Sequence, residues 1–86
     1  MKEFRWDEAK NKRLKKSRGA SFEDLLDSKF IDAEKHPSRE NQLILLFEYE
    51  KYIWVIPCVR EKDYFFLKTL FPSRKYTQKY KRGEER

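Results

Sequence analysis

The chain has 86 residues, 21 of them Lys or Arg and 15 Asp or Glu, giving a formal net charge of +6 and a pI near 9.5. That length allows one domain in a small two-layer fold and excludes a second core. The basic excess clusters toward the two ends, which favours a polyanionic partner, nucleic acid first and an acidic protein second, over a surface charged only for solubility.

Glu3-Phe4-Arg5-Trp6 alternates polar and apolar, the pattern of a short edge strand. Asp7 then offers a helix N-cap, with Glu8 in the first turn and Lys10, Lys12, Arg13, Lys15 and Lys16 behind it, the charge order a helix dipole prefers. This predicts a helix over 8–17 with a thin apolar side of Ala9 and Leu14 and a basic face in water. Gly19 suits a left-handed C-cap, and Ser21-Phe22-Glu23-Asp24 has the spacing of a capping box. Phe22, Leu25, Leu26 and Phe30 follow at helical spacing, predicting a second helix with an inward stripe. The acids Glu23, Asp24 and Asp27 fit solvent or the first helix better than a metal. Asp32 to Glu40 reads as a polar loop holding the sole histidine, His36. Its free pKa lies near neutrality, but nothing adjacent in sequence would orient it for acid–base chemistry.

From Gln42 the period changes. Leu43 to Tyr49, Tyr52 to Val59 and Tyr64 to Phe71 are β-rich runs joined by the short links Glu50-Lys51 and Arg60-Glu61-Lys62-Asp63, which predicts an antiparallel meander. Pro57 in the middle run predicts a bulge or an early end to pairing on one side. In the third run Phe65, Leu67, Thr69 and Phe71 share the expected core face, while Tyr64, Phe66, Lys68 and Leu70 share the other. Cys58, the only cysteine, sits in the second run; it excludes an internal disulfide and reads as a small buried hydrophobe rather than a reactive thiol.

Pro72 stops the third run, and Arg74, Lys75, Tyr76, Lys79 and Tyr80 follow at spacings that suit a short helix against the outer edge of the sheet. No acidic residue occurs between Leu67 and Arg82. The tail from Lys81 reads as frayed. The fold expected is therefore α+β: two N-terminal helices on a three- or four-stranded antiparallel sheet, then a short C-terminal helix, all in a single domain over 1–86. Nothing reads as a signal peptide or a membrane span, so a cytoplasmic protein is expected.

The residue types suggest chemistry by elimination. No Cys/His metal cluster, Ser-His-Asp arrangement or phosphate-cradling glycine loop is apparent, so neither metal nor cofactor is expected. What remains is a set of cations and tyrosines beside aromatics. Such a set can bind RNA phosphates, stack bases and stabilise a pentacoordinate phosphate. Lys68, Arg74 and Lys75 would supply charge, Tyr76 a base platform or proton, and Glu48 a carboxylate base. Tyr80, Lys79, Arg18 and Lys15 would extend the RNA contact. Tyr76 and Tyr80 could equally lock the last helix to the sheet.

Phe4-Arg5-Trp6-Asp7-Glu8-Ala9-Lys10-Asn11, then Arg18-Gly19-Ala20-Ser21-Phe22-Glu23-Asp24, then Pro72-Ser73-Arg74-Lys75-Tyr76-Thr77 resemble, in this order, the motifs of BrnT-type toxins of bacterial type II toxin–antitoxin pairs. The resemblance implies a RelE-like fold, metal-independent RNA cleavage that halts translation, and neutralisation by a small antitoxin. It carries over to Arg74 and Lys75, whereas Lys68 comes from its strand position alone. The chain departs from the family pattern at Arg18, where relatives have histidine, and at Ser73 and Tyr76, where they have alanine. A different reading keeps the same basic surface without catalysis, as a nucleic-acid- or partner-binding regulatory module.

Overall fold

A computed structural model describes residues 3–84, with side chains through Tyr80. The elements run β1 (Glu3–Arg5), α1 (Glu8–Arg18), α2 (Phe22–Leu26), β2 (Lys29–Lys35), β3 (Gln42–Tyr49), β4 (Tyr52–Arg60), β5 (Tyr64–Leu67), β6 (Phe71–Pro72) and α3 (Arg74–Glu84). The strands form one sheet in the order β1-β5-β4-β3-β2, with β6 also pairing β4.

Local signals set the N-terminal third. The Asp7 side chain accepts from the Lys10 N–H, Gly19 closes α1 at φ 89°, and Ser21 and Asp24 complete both halves of the capping box. Asn11, 3% exposed, staples the two helices together. It accepts from the Phe22 N–H at 2.8 Å and donates to Glu23 at 2.6 Å and Glu8 at 3.1 Å. Between β3 and β4 the chain turns on Glu50 and Lys51, both at positive φ (50° and 67°), as a two-residue hairpin of this twist requires.

The sheet departs from the expected antiparallel meander of three or four strands in four ways. β2 through β5 are antiparallel, but β1 pairs β5 in parallel, making the sheet mixed. A parallel pair needs a long crossover, and everything from α1 to β4 provides one. The stretch expected to be a polar loop from Asp32 contains most of β2, an edge strand on which Lys29, Asp32 and Lys35 are exposed and Glu34 is half-buried; such a strand carries little hydrophobic period. Phe30 is accordingly not on α2, which ends at Leu26. It lies on β2, 55% exposed, edge-on to Phe47 at 5.6 Å.

The third run is also broken. β5 leaves β4 after Cys58↔Leu67, and pairing resumes only at Val55↔Phe71. The Pro57 carbonyl accepts from Lys68 N–H, so the donor that Pro57 lacks would also have faced this side. The predicted early end of pairing thus occurs here, and the excursion reverses the alternation: Leu70 is fully buried and Phe71 is 37% exposed.

Finally, α3 does not lie at the sheet's outer edge. α1 and α2 cover one face over Leu14, Phe22, Leu25, Leu45, Phe47, Trp54 and Ile56. The opposite face buries Leu46, Ile53 and Val55, against which Tyr76 and Tyr80 of α3 pack. The helix continues through Glu84, past the point where a frayed tail was expected; Glu85 and Arg86 lie outside the described residues. Among the described residues no helix is long and apolar enough to cross a membrane.

Candidate active site

The site is built on the α3 face. Strand alternation puts Ile44, Leu46, Ile53 and Val55 on this side, and α3 is clipped to the start of β4 by backbone and hydroxyl groups. The Ser73 N–H donates to the Ile53 carbonyl at 2.8 Å. The Ile53 N–H donates to Thr77 Oγ1 at 2.8 Å, and that hydroxyl donates to the Ser73 carbonyl at 2.6 Å. Ser73 Oγ accepts from the Tyr76 N–H at 3.1 Å, satisfying one open donor of the first turn.

Tyr76 and Tyr80, one turn apart, stack with centroids 6.4 Å apart. Tyr76 donates its hydroxyl to Glu34 at 2.9 Å, and Tyr80 reaches Asp32 at 3.4 Å. The hydrogen bond to Glu34 raises the Tyr76 phenol above its usual range, with burial adding to the effect. For Tyr80 burial comes first and the Asp32 charge second. Both are neutral phenols at physiological pH, and both bind α3 to the exposed edge strand.

Beside the N-terminal end of α3, where the third run leaves β4, a groove of about 460 Å³ opens. Lys10, His36, Lys68 and Tyr76 line it with a floor of Ile44, Val55 and Pro57, and Phe71 forms part of its wall. No acidic side chain is among its lining residues. The β2–β3 hairpin sets His36: its N–H donates to the Gln42 carbonyl at 3.0 Å, and its Nδ1 accepts from the Ser38 N–H at 3.2 Å. In the neutral ring the proton therefore resides on Nε2, which is a donor.

The groove thus brings together Lys68 and Tyr76, two of the residues expected to carry chemistry. It adds His36 and Lys10, which the sequence placed on a loop and on a general basic helix face. The missed signal was β2: once Lys29–Lys35 is a strand paired with β3, His36 is opposite Gln42, at the end of the sheet that borders the groove.

The other candidates lie elsewhere. Arg74 and Lys75 are exposed on the first turn of α3, with Lys75 Nζ 5.9 Å from the Tyr76 ring centroid. Lys79 sits 5.5 Å over Tyr80. Glu48 shares the α3 face but is four residues along β3 from Ile44, about 13 Å at strand rise, so it stands apart from Lys68. Arg18 and Lys15 belong to the helix layer, where Arg18 donates to the Leu70 carbonyl and Lys15 pairs with Asp24 at 2.7 Å. Cys58 is buried, and burial pushes its thiol up to about 11, as expected for an inert core residue. Among the described residues no group of His, Cys, Asp or Glu could hold a metal ion.

No protein-family model matches the chain, and no curated protein matches it by sequence. The fold is similar to that of the Brucella abortus ribonuclease toxin BrnT. The two superpose with a TM-score of 0.54 at 16% sequence identity, over 85% of this chain and 97% of the toxin. At that identity the likeness is one of fold.

Proposed function

We propose that this chain is a BrnT-like ribonuclease toxin, acting on RNA in the cytoplasm without a metal or cofactor and held in check by a small acidic antitoxin. The observation that carries this reading is the groove itself: on a fold shared with a ribonuclease toxin, Lys10 of α1, His36 and Lys68 line one groove with Tyr76 of α3, and no acidic side chain is among its lining residues. Catalysis would rest on electrostatic stabilisation. The ribose 2′-hydroxyl, giving its proton to solvent, attacks the adjacent phosphorus, and the 5′-oxygen leaves with a proton from water to give a 2′,3′-cyclic phosphate. During this step negative charge grows on the phosphoryl oxygens, and the Lys68 and Lys10 ammonium groups and the His36 Nε2–H meet it in the groove. Phe71, half exposed in the same groove, offers a face for a base.

Tyr76 serves chiefly by orientation, since its hydroxyl is committed to Glu34. Arg74 and Lys75 assist as attractors of phosphate. The first turn of α3 contains no acidic residue, and cations there oppose the helix dipole, a local cost that makes sense if the surface serves an anion. Lys79 and Tyr80 extend this surface along α3. Lys15 and Arg18, tied into the helix layer, contribute long-range charge, and Glu48 has no part in the groove.

The experiment is expression of the chain alone. Growth should arrest, and Lys68→Ala should relieve the arrest at equal protein abundance; normal growth with abundant wild-type protein would contradict the reading. One observation favours a second reading, an RNA-binding regulator without catalysis: both the Tyr76 hydroxyl and His36 Nδ1 already have partners, leaving no evident proton acceptor in the groove. That reading requires salt-sensitive RNA binding with no cleaved product.

A further inference from the structure

His36 lines a second groove as well as the first. This neighbour, of about 490 Å³, is formed by the β2–β3 hairpin and the end of β4 and carries Lys35, Arg39 and Arg60, with Glu40 as its one acidic lining residue. The three cations are exposed, and the corner beneath them is held by backbone bonds together with the Ser38–His36 contact. The Gln42 N–H donates to the Arg39 carbonyl at 3.2 Å, and the Arg60 N–H donates to the Asn41 carbonyl at 2.7 Å. Two basic grooves therefore share a wall whose ring presents an Nε2–H, at the end of the sheet where β3 begins and β4 finishes.

We propose that Lys35, Arg39 and Arg60 form a second phosphate subsite, continuous with the Lys10–Lys68 groove through His36, that takes a neighbouring phosphate of the same RNA strand. A single strand carries one charge per nucleotide along a flexible backbone and can pass from one groove to the next. Contiguous grooves holding cations, with an exposed aromatic in the first, are the arrangement by which proteins track single strands. Glu40 at the rim disfavours an acidic protein segment and a phosphate strand alike, but it is outnumbered by the three cations. This inference rests on the ribonuclease reading for its substrate, not for its binding test.

The double variant Arg39→Ala/Arg60→Ala removes only exposed side chains and leaves both backbone bonds. Binding of a single-stranded 2′-O-methyl RNA oligomer, which cannot be cut by 2′-oxygen attack, is titrated against salt for wild type and variant. The variant should bind roughly tenfold more weakly, the scale of one charge-assisted contact, and its log–log salt slope should be shallower by about 0.7 for the one phosphate released. For cleavage, KM for an oligomer should rise with kcat unchanged, while a dinucleotide with one phosphate should be cut equally by both proteins. Unaltered affinity and salt slope would overturn the subsite, including the case in which the same variant loses affinity only for a protein partner. Absence of cleavage by wild type would sink the ribonuclease reading while leaving the binding result to decide the subsite.

Discussion

Against α1 and α2 the sheet buries a broad apolar layer, and several polar groups there are paired internally: Asn11 with Phe22, Glu23 and Glu8, Lys15 with Asp24, and Arg18 with the Leu70 carbonyl. The buried Trp54 indole N–H, by contrast, has no partner among the described residues. Among the described residues the sheet buries only Leu46, Ile53 and Val55 against α3, and the helix is tethered by Thr77 and two tyrosine hydroxyls. One face supplies stability. The other is thinly held, and it carries the groove and a run of cations. The basic residues of α1 and those of α3 look alike in composition, yet α1 spends Lys15 and Arg18 on structure, while Arg74 and Lys75 stand exposed on the first turn of α3.

Breaking the first face should cost most. Phe22, fully buried and packed on Trp6 at 5.6 Å, belongs to the larger cluster. Phe22→Ala should destabilise the protein by about 3–5 kcal/mol, enough to unfold a domain of this size, as read by denaturant unfolding. Thr77→Ala acts on the second face by leaving the buried Ile53 N–H without its acceptor. We expect a loss of about 1–3 kcal/mol, with amide exchange rising first in α3 and at Ile53 while the α1–α2 amides stay protected.

A pH titration separates the faces further. Lys15 holds the Asp24 carboxyl below its usual range, and Asn11 does the same for Glu23. Their stabilisation is full above the ordinary carboxylate range and is lost as pH falls through their lowered values, so acid below about pH 4, the ordinary carboxylate value, should loosen the α1–α2 layer. Tyr76 and Tyr80 have raised values, so their contribution is full below about pH 10, the ordinary tyrosine value, and is lost as pH rises through the raised ones. Lys15, raised by its hydrogen bond to Asp24, and Tyr49, raised by burial, share in the alkaline loss. The part belonging to α3 is what Tyr76→Phe removes from the alkaline arm; an unchanged alkaline arm in that variant would refute the tether.

What could be read from the sequence tracks how local the cause is. Asp7, Gly19, Ser21 and Asp24 act within a turn, and they mark the ends of α1 and the start of α2 where expected. Helical spacing placed Tyr76 on α3, whereas Lys68, expected on the third strand, lies just past the end of β5 where the chain leaves the ladder. The parallel β1–β5 pair could not be seen, because its partners lie at opposite ends of the chain. β2 was hidden by its own chemistry: its Asp32 and Glu34 look like loop residues until Tyr80 and Tyr76 are found bonded to them. With β2 hidden, His36 had no neighbours, so the groove it shares with Lys68 was out of reach. The exchange of Leu70 and Phe71 follows from the break beside Pro57, which the sequence marked without showing how far the chain would leave the ladder.

The most direct test is single-turnover cleavage of an end-labelled RNA oligomer by purified protein in the presence of a chelator, comparing wild type with Lys68→Ala. Lys68 is exposed, so the variant should melt at the same temperature as wild type. Wild type should cleave the oligomer, and the variant should do so at a rate lower by about 100-fold or more, the usual consequence of removing one charge-stabilising donor. Equal rates for the two folded proteins, or intact RNA with folded wild type, would contradict the ribonuclease reading.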